Sequence, residues 1–165
     1  MNQLPAKAVV DARLRKAMAQ LASRDSYLIE NEVNERTVTH KLAEYLGRLF
    51  PGWDVDCEYN RDGPDTKTVP IPNEEQALED NPVYPDIIVH KRGDWRGMPV
   101  RPHLLVVEAR KRGSPDKKVE RDTAKIVAYL RDLRYRFGAL IEYGFEDGSV
   151  RYDIDLQEDP EPTGP

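Results

Sequence analysis

Two acidic residues stand where apolar segments meet polar ones, Asp86 in PDIIVHK and Glu108 in HLLVVEARK. Short runs rich in β-branched and leucine residues predict β-strands. Side chains alternate across a strand, so Asp86 shares a face with Ile88, and Glu108 shares one with Val106. If the two strands are neighbours, the carboxylates approach each other, and one must be protonated unless a cation lies between them. A hard divalent ion such as Mg²⁺ accepts oxygen ligands of this kind.

A third acid, Glu35, lies near the start of a predicted helix over residues 34–50, which Pro51-Gly52 ends. It shares one helical stripe with a set of apolar residues, namely Val38, Leu42, Leu46 and Leu49. We therefore expect Glu35 at the head of the buried face, where a carboxylate is costly unless it is paired or bound to a metal. The alternative is a carboxylate that only stabilises the positive end of the helix dipole.

Basic residues follow Glu108 directly, in the segment EARKRG. On a regular strand Arg110 shares the face of Glu108, whereas Lys111 points to the other face unless a β-bulge redirects it. The apolar segment LLVV before them predicts a strand in the centre of a sheet, buried on both faces. The cations would then meet a polyanion at the edge where this strand leaves the core.

The elements that must position these residues follow in the order α-α-β-β-β-α-β-β, which predicts one mixed α/β domain. The third helix and the closing hairpin come after the Glu108 strand. A polar loop over 61–82 separates the first two strands and is expected to be functional or mobile. The predicted helices cover 5–28, 34–50 and 116–137, and the predicted strands cover 53–61, 85–91, 103–111, 139–145 and 150–156.

Composition limits the class of protein. The chain has 165 residues, of which 33% are charged and 39% hydrophobic, with a net charge of −5. These values predict a soluble single domain over residues 1–156 and a disordered, acidic, proline-rich tail over 157–165. The sequence has no apolar run long enough to span a membrane and no secretion signal at its start, so no membrane partner is expected. The single cysteine, Cys57, fits a reducing cytoplasm.

Pro85-Asp86, then Glu108-Ala109-Arg110, then a long helix, with Glu35 on a preceding helix, resemble the PD-(D/E)XK nuclease superfamily. The resemblance covers roughly residues 35–143. It implies a restriction-endonuclease-like αβββαβ core with a mixed central sheet flanked by helices and an extra N-terminal helix. It further implies that Mg²⁺ or Mn²⁺ is held by Asp86, Glu108 and the carbonyl of Ala109, with Glu35 as an accessory acid.

The same resemblance implies hydrolysis of phosphodiester bonds in DNA or RNA, with nucleic acid as the partner and a homodimer as one possible state. The sequence departs from the family pattern at the lysine position, which is Arg110, and arginine is a poor general base. Lys111 and Lys125 are the candidate replacements. Lys125 shares a helix face with Asp122 and Tyr129, although a solvated Asp–Lys pair is the alternative. A catalytically inactive member that binds nucleic acid or protein is the alternative function.

Overall fold

The computed structural model describes residues 4–62, 65–72, 78–93 and 102–159. Four helices are formed, which are α1 (Lys7–Arg24), α2 (Ser26–Glu30), α3 (Glu35–Leu49) and α4 (Asp116–Arg131). The longer strands are β1 (Asp54–Cys57), β6 (Ile87–His90), β7 (His103–Lys111), β8 (Phe137–Glu146) and β9 (Ser149–Glu158). Between β1 and β6 lie short strands, β2 (Arg61–Asp62), β3 (Asp65–Thr66), β4 (Thr68–Pro72) and β5 (Leu78–Pro82).

Five strands form one mixed sheet in the order β1-β6-β7-β8-β9. The pair β7–β8 is parallel, and the other three pairs are antiparallel. Strand β7 lies in the centre, and its residues are buried from His103 to Arg110. Neither face of the apolar LLVV segment is exposed to solvent, because helices cover both sides of the sheet. The prediction of a central strand is therefore confirmed.

The sheet separates two apolar layers. On one face α1 and α3 pack against the side chains that include Ile87 and Val107. On the other face α4 packs against the alternate side chains, which include Ile88 and Val106. This alternation follows from the two-residue period of a strand. The structure confirms an α/β domain with a mixed sheet flanked by helices, one of them N-terminal.

Two helices are shorter than predicted. The first predicted helix divides at Asp25, between α1 and α2. Helix α4 ends at Arg131 instead of continuing to residue 137. Arg134 takes a positive φ of 61°, a backbone conformation that no right-handed helix contains. The chain reverses there, and Phe137 becomes the first residue of β8.

The polar segment over 61–82 contains four short strands and was wrongly predicted to lack structure. They form two antiparallel pairs, β2–β3 and β4–β5. Alternating Val69 and Ile71 are buried in the apolar layer shared with α4. The apolar face of β4 is thereby removed from water, which stabilises this hairpin against the domain. Residues 63–64 and 73–77 lie outside the described residues.

The last hairpin is confirmed, with β8 and β9 in register from Phe137↔Glu158 to Glu146↔Ser149. Its turn uses Asp147 and Gly148, with φ of 50° and 75°, as a two-residue type I′ turn requires. Strand β9 runs two residues past the predicted domain end at 156. Asp159 is also buried. The rest of the predicted tail, 160–165, lies outside the described residues. No helix in the described ranges is long and apolar enough to cross a membrane.

Candidate active site at the Asp86–Glu108 edge

Glu108 lies on β7, and Asp86 immediately precedes the neighbouring strand β6. The β6–β7 register pairs Ile87 with Val107, and its continuation by one residue puts Asp86 opposite Glu108. The carboxylate of Asp86 accepts a hydrogen bond of 2.8 Å from the backbone N–H of Ala109. That bond holds Asp86 at the point where β6 begins.

Glu108 is a buried acid with two side-chain partners from α4. It is 2% exposed. Its Oε2 accepts from Lys125 Nζ at 3.1 Å, and its Oε1 accepts from the Tyr129 hydroxyl at 3.0 Å. Both partners reach the carboxylate because one helical face carries them toward β7. Of the predicted cations, Lys125 is thus the one in contact with Glu108.

Arg110 lies on the same face as Glu108 but is engaged with other acids. Its guanidinium is 3.2 Å from Glu142 Oε1 and 3.8 Å from Asp122 Oδ2. Asp122 Oδ1 is in turn 3.8 Å from Lys125 Nζ. Arg110 therefore links the acids of β8 and α4, and it is 6% exposed. Within the described residues, its Nε and Nη1 atoms are buried without a hydrogen-bond acceptor.

Lys111 is directed away from these acids. Its Nζ donates to the carbonyl oxygen of Glu32 at 2.9 Å. The β7–β8 register is continuous from Leu105↔Phe137 to Lys111↔Tyr143, so no bulge on that side turns the lysine toward Glu108. Strand alternation therefore places Lys111 on the face opposite Glu108, and its replacement of the family lysine stays a prediction.

Glu35 stands at the first position of α3, after the N-cap Asn34, whose side chain accepts from the N–H of Arg36. Its two carboxylate oxygens accept from Lys118 Nζ at 2.7 and 2.9 Å. Glu35 is half-buried. Its exposure is intermediate between the two alternatives, a buried acid and an exposed acid at the helix start. It lies near enough to Asp86 to contribute to the raised pKa of that carboxyl.

Burial controls the protonation of the two central acids. It raises the pKa of Asp86 to about 6, although the Ala109 N–H and Lys125 oppose the rise. Burial, with the nearby Asp86 charge, raises the pKa of Glu108 to about 8 despite Lys125. Burial also raises the pKa of Asp122. For Lys125, the charges of Glu108 and Asp122 outweigh burial and raise its pKa, so it stays an ammonium. The cluster holds more acid than the neighbouring cations compensate.

Oxygen atoms are the donors that this edge could offer to a metal ion. Asp86 and Glu108 supply carboxylates. The N–H and C=O of one strand residue point to the same side, so the Ala109 carbonyl faces the side of Asp86. In the part of the chain that the structure describes, no three His, Cys, Asp or Glu side chains are arranged to hold a metal. Oxygen donors of this kind suit Mg²⁺ or Mn²⁺. The donors available here are two carboxylates and one backbone carbonyl.

This chain matches no protein-family model, no curated protein and no solved structure. What the edge can do chemically therefore follows from its own residues. A buried acid pair with a bound ammonium can hold a cation, exchange a proton near neutral pH, or both.

Several partners in this cluster had no predicted role. Asp122 and Tyr129 were noted only for sharing a helix face with Lys125. Their spacing, one turn on either side of Lys125, was the available signal. Glu142 and Lys118 were missed, because each meets its partner across the fold and no local pattern marks them.

Proposed function

We propose that this protein is a metal-dependent nuclease, which hydrolyses phosphodiester bonds of DNA or RNA in the cytoplasm on a restriction-endonuclease-like core. The chain order α3, β1, β6, β7, α4 and β8 agrees with the αβββαβ order of that core. The observation that supports the proposal is that Asp86 and Glu108 lie side by side near the C-terminal end of the central strand, with Lys125 bonded to Glu108.

The acid pair suits a divalent ion on electrostatic grounds. Asp86 and Glu108 both have a raised pKa, so added positive charge near them would stabilise their ionised forms. Asp86, Glu108 and the Ala109 carbonyl are the residues that would hold Mg²⁺ or Mn²⁺. Glu35 would contribute once it is released from Lys118. When bound, the ion supplies Lewis acidity and lowers the pKa of a coordinated water.

The chain's own residues would orient the remaining groups. Lys125 is placed to hydrogen-bond a water or a phosphate oxygen next to Glu108, because its ammonium already lies within 3.1 Å of that acid. Tyr129 fixes the other Glu108 oxygen. Arg110 compensates Asp122 and Glu142, so we assign it a positioning role and not that of general base.

The alternative is a catalytically inactive protein of the same fold that binds nucleic acid or a protein partner. One observation favours it. Both oxygens of Glu108 are occupied by Lys125 and Tyr129, and the position of the family lysine carries Arg110. A metal would have to share Glu108 with these donors.

The test combines metal binding with cleavage. Mn²⁺ titration calorimetry compares the wild type with Asp86→Asn and with the control Asp147→Asn, an exposed acid in the β8–β9 turn. Single- and double-stranded DNA and RNA are then incubated with Mn²⁺. We expect wild type and Asp147→Asn to bind Mn²⁺ and cleave, and Asp86→Asn to do neither.

Each other outcome has a distinct meaning. Metal binding without cleavage, together with nucleic-acid binding that survives Asp86→Asn, would establish the inactive alternative. Absence of Mn²⁺ binding in the wild type, or cleavage that persists in Asp86→Asn, would overturn the proposed metal site.

A further inference from the structure

Strand β9 forms an edge of the five-stranded sheet. It spans ten residues, Ser149–Glu158, and pairs with β8 alone among the described strands. Its even-numbered side chains, which include Val150, Tyr152 and Ile154, pack partly buried against the α1 layer. Its odd-numbered side chains Arg151, Asp153 and Asp155 are exposed. A long edge strand leaves a row of backbone N–H and C=O groups available to another chain.

We propose that a second copy of this chain pairs with β9 in antiparallel fashion, around a two-fold axis at Tyr152. The two sheets would then join into one continuous sheet of ten strands. Such an interface is isologous, since the same strand contributes both surfaces. This inference is independent of the proposed function.

Charge complementarity selects the axis. A two-fold axis normal to the sheet leaves every side chain on its original face. Residues directly opposite each other across the axis therefore lie on the same face of the joined sheet. Centring on Tyr152 puts Arg151 opposite Asp153 of the second copy, and the pair occurs twice by symmetry. Centring on Asp153 would also pair Arg151 with Asp155, but it would put the two Asp153 side chains directly opposite each other at the axis. Centring on Arg151 would oppose two arginines. Centring on Ile154 would oppose Asp153 to Asp155. Like charges directly opposite are unfavourable.

Both charged partners are accessible for this contact. The Asp153 side chain is 76% exposed, although one of its oxygens accepts from Arg112. Arg112 also pairs with Glu146, so Asp153 is not its only acid. No acid among the described residues forms an ion pair with Arg151. The second Asp153 oxygen and the Arg151 guanidinium can therefore meet across the axis.

Apolar residues reinforce the same axis on the opposite face. Val150 would lie opposite Ile154, and Tyr152 would lie opposite its own copy. Beside them a shallow groove of about 660 Å³ runs between α1 and β9, lined in part by Ala19, Ala22 and Tyr152. Aromatic and β-branched cross-strand pairs of this kind stabilise antiparallel sheets.

The pairing would also fix the two acid clusters relative to each other. Because the axis preserves faces, both Asp86–Glu108 edges would lie on the same side of the joined sheet. Usual strand spacing and rise put them about 30 Å apart.

Sedimentation velocity and light scattering test the proposal on the full chain. We expect the wild type to have twice the chain mass of 18.9 kDa at micromolar concentration. Arg151→Asp and Asp153→Arg should each weaken dimerisation by about tenfold or more, because each opposes like charges. The double variant restores an opposite pair in the reversed sense and should regain the dimer.

Arg121→Asp provides the matched control, since it makes the same charge change on the exposed surface of α4 and should leave the dimer unchanged. Circular dichroism and thermal melting confirm that every variant is folded. A wild type that stays monomeric at hundreds of micromolar would overturn the proposal. So would single variants that dimerise normally, or a folded double variant that stays monomeric.

Discussion

Lys125 Nζ lies 3.1 Å from Glu108 Oε2, so the acid that leaves the central strand is bonded to the helix packed behind it. The contact joins α4 to β7 at a buried position. Removing one partner of a buried pair leaves the other without compensation, which costs more than the pair itself contributes. The protonation state of Glu108 determines how large that cost is.

Lys125→Met should therefore destabilise the protein in a pH-dependent way. The pKa of Glu108 is about 8, so near pH 6 the acid is mostly neutral and needs its cation least. Near pH 9 it is ionised, and the loss should reach about 3 kcal/mol. Urea unfolding at both pH values measures the difference. Lys41→Met, which breaks an exposed pair with Glu44, should leave the free energy of unfolding nearly unchanged at either pH, because water screens such pairs. Equal losses for Lys125→Met at both pH values would contradict the raised pKa.

Glu108→Gln should reduce the dependence of stability on pH between 5 and 8. The folded pKa of Glu108, about 8, exceeds the ordinary value of 4.5, so in this window the folded state holds a proton that the unfolded state has lost. Stability then falls as pH rises, by up to about 1.4 kcal/mol per pH unit from this group. Asp86 acts in the same direction up to about pH 6.

Burial lowers the pKa of His90 despite its bond to Asp56, and this opposes the trend near the ordinary histidine value of 6.5. The contribution of Glu108 is therefore the difference between the wild-type slope and the Glu108→Gln slope in urea unfolding at pH 5, 6.5 and 8. Asp147→Asn should keep the wild-type slope. A Glu108→Gln slope equal to the wild-type slope would show that Glu108 ionises normally.

Gly138→Ala should destabilise the contact between β8 and α4. A Cβ atom there would lie 2.8 Å from Ile126 Cγ2, in the buried layer. Such overpacking typically costs 1–3 kcal/mol, and we expect about 2 kcal/mol. Gly47→Ala is the matched control, because a Cβ at this position in α3 meets nothing within 4 Å. That change should stabilise the helix by up to about 1 kcal/mol. Thermal or urea unfolding measures the sign of the stability change for each variant. An unchanged stability for Gly138→Ala would mean that α4 shifts to accommodate the added Cβ at little cost.

Local sequence patterns predicted the elements that carry their own signal. Helical spacing of apolar residues predicted α3, whose observed range is Glu35–Leu49. The apolar LLVV segment predicted the central position of β7, and the EDGS turn predicted the β8–β9 hairpin. Strand alternation predicted that Asp86 and Glu108 approach each other if their strands are neighbours, and the β6–β7 pairing supplies that condition.

Patterns that compete with one another were harder to interpret. Residues 132–136 continue the helical spacing of α4, but Arg134 has a positive φ and the chain turns there. The polar segment over 61–82 contains few apolar residues, and Val69 and Ile71 form a buried strand face only because α4 packs against them. The β-propensity of a local segment carries no information about packing against α4, which is distant in the sequence.

The sequence by itself determined the acids, the central strand and the face on which each side chain lies, because these depend on periods of two and 3.6 residues. Only the tertiary structure decided which cation meets which acid. Lys125 reaches Glu108 through the packing of α4 on β7, Arg110 meets Glu142 through the parallel β7–β8 register, and Lys118 reaches Glu35 between two helices. These contacts join residues far apart in the chain, and their formation depends on how whole elements pack.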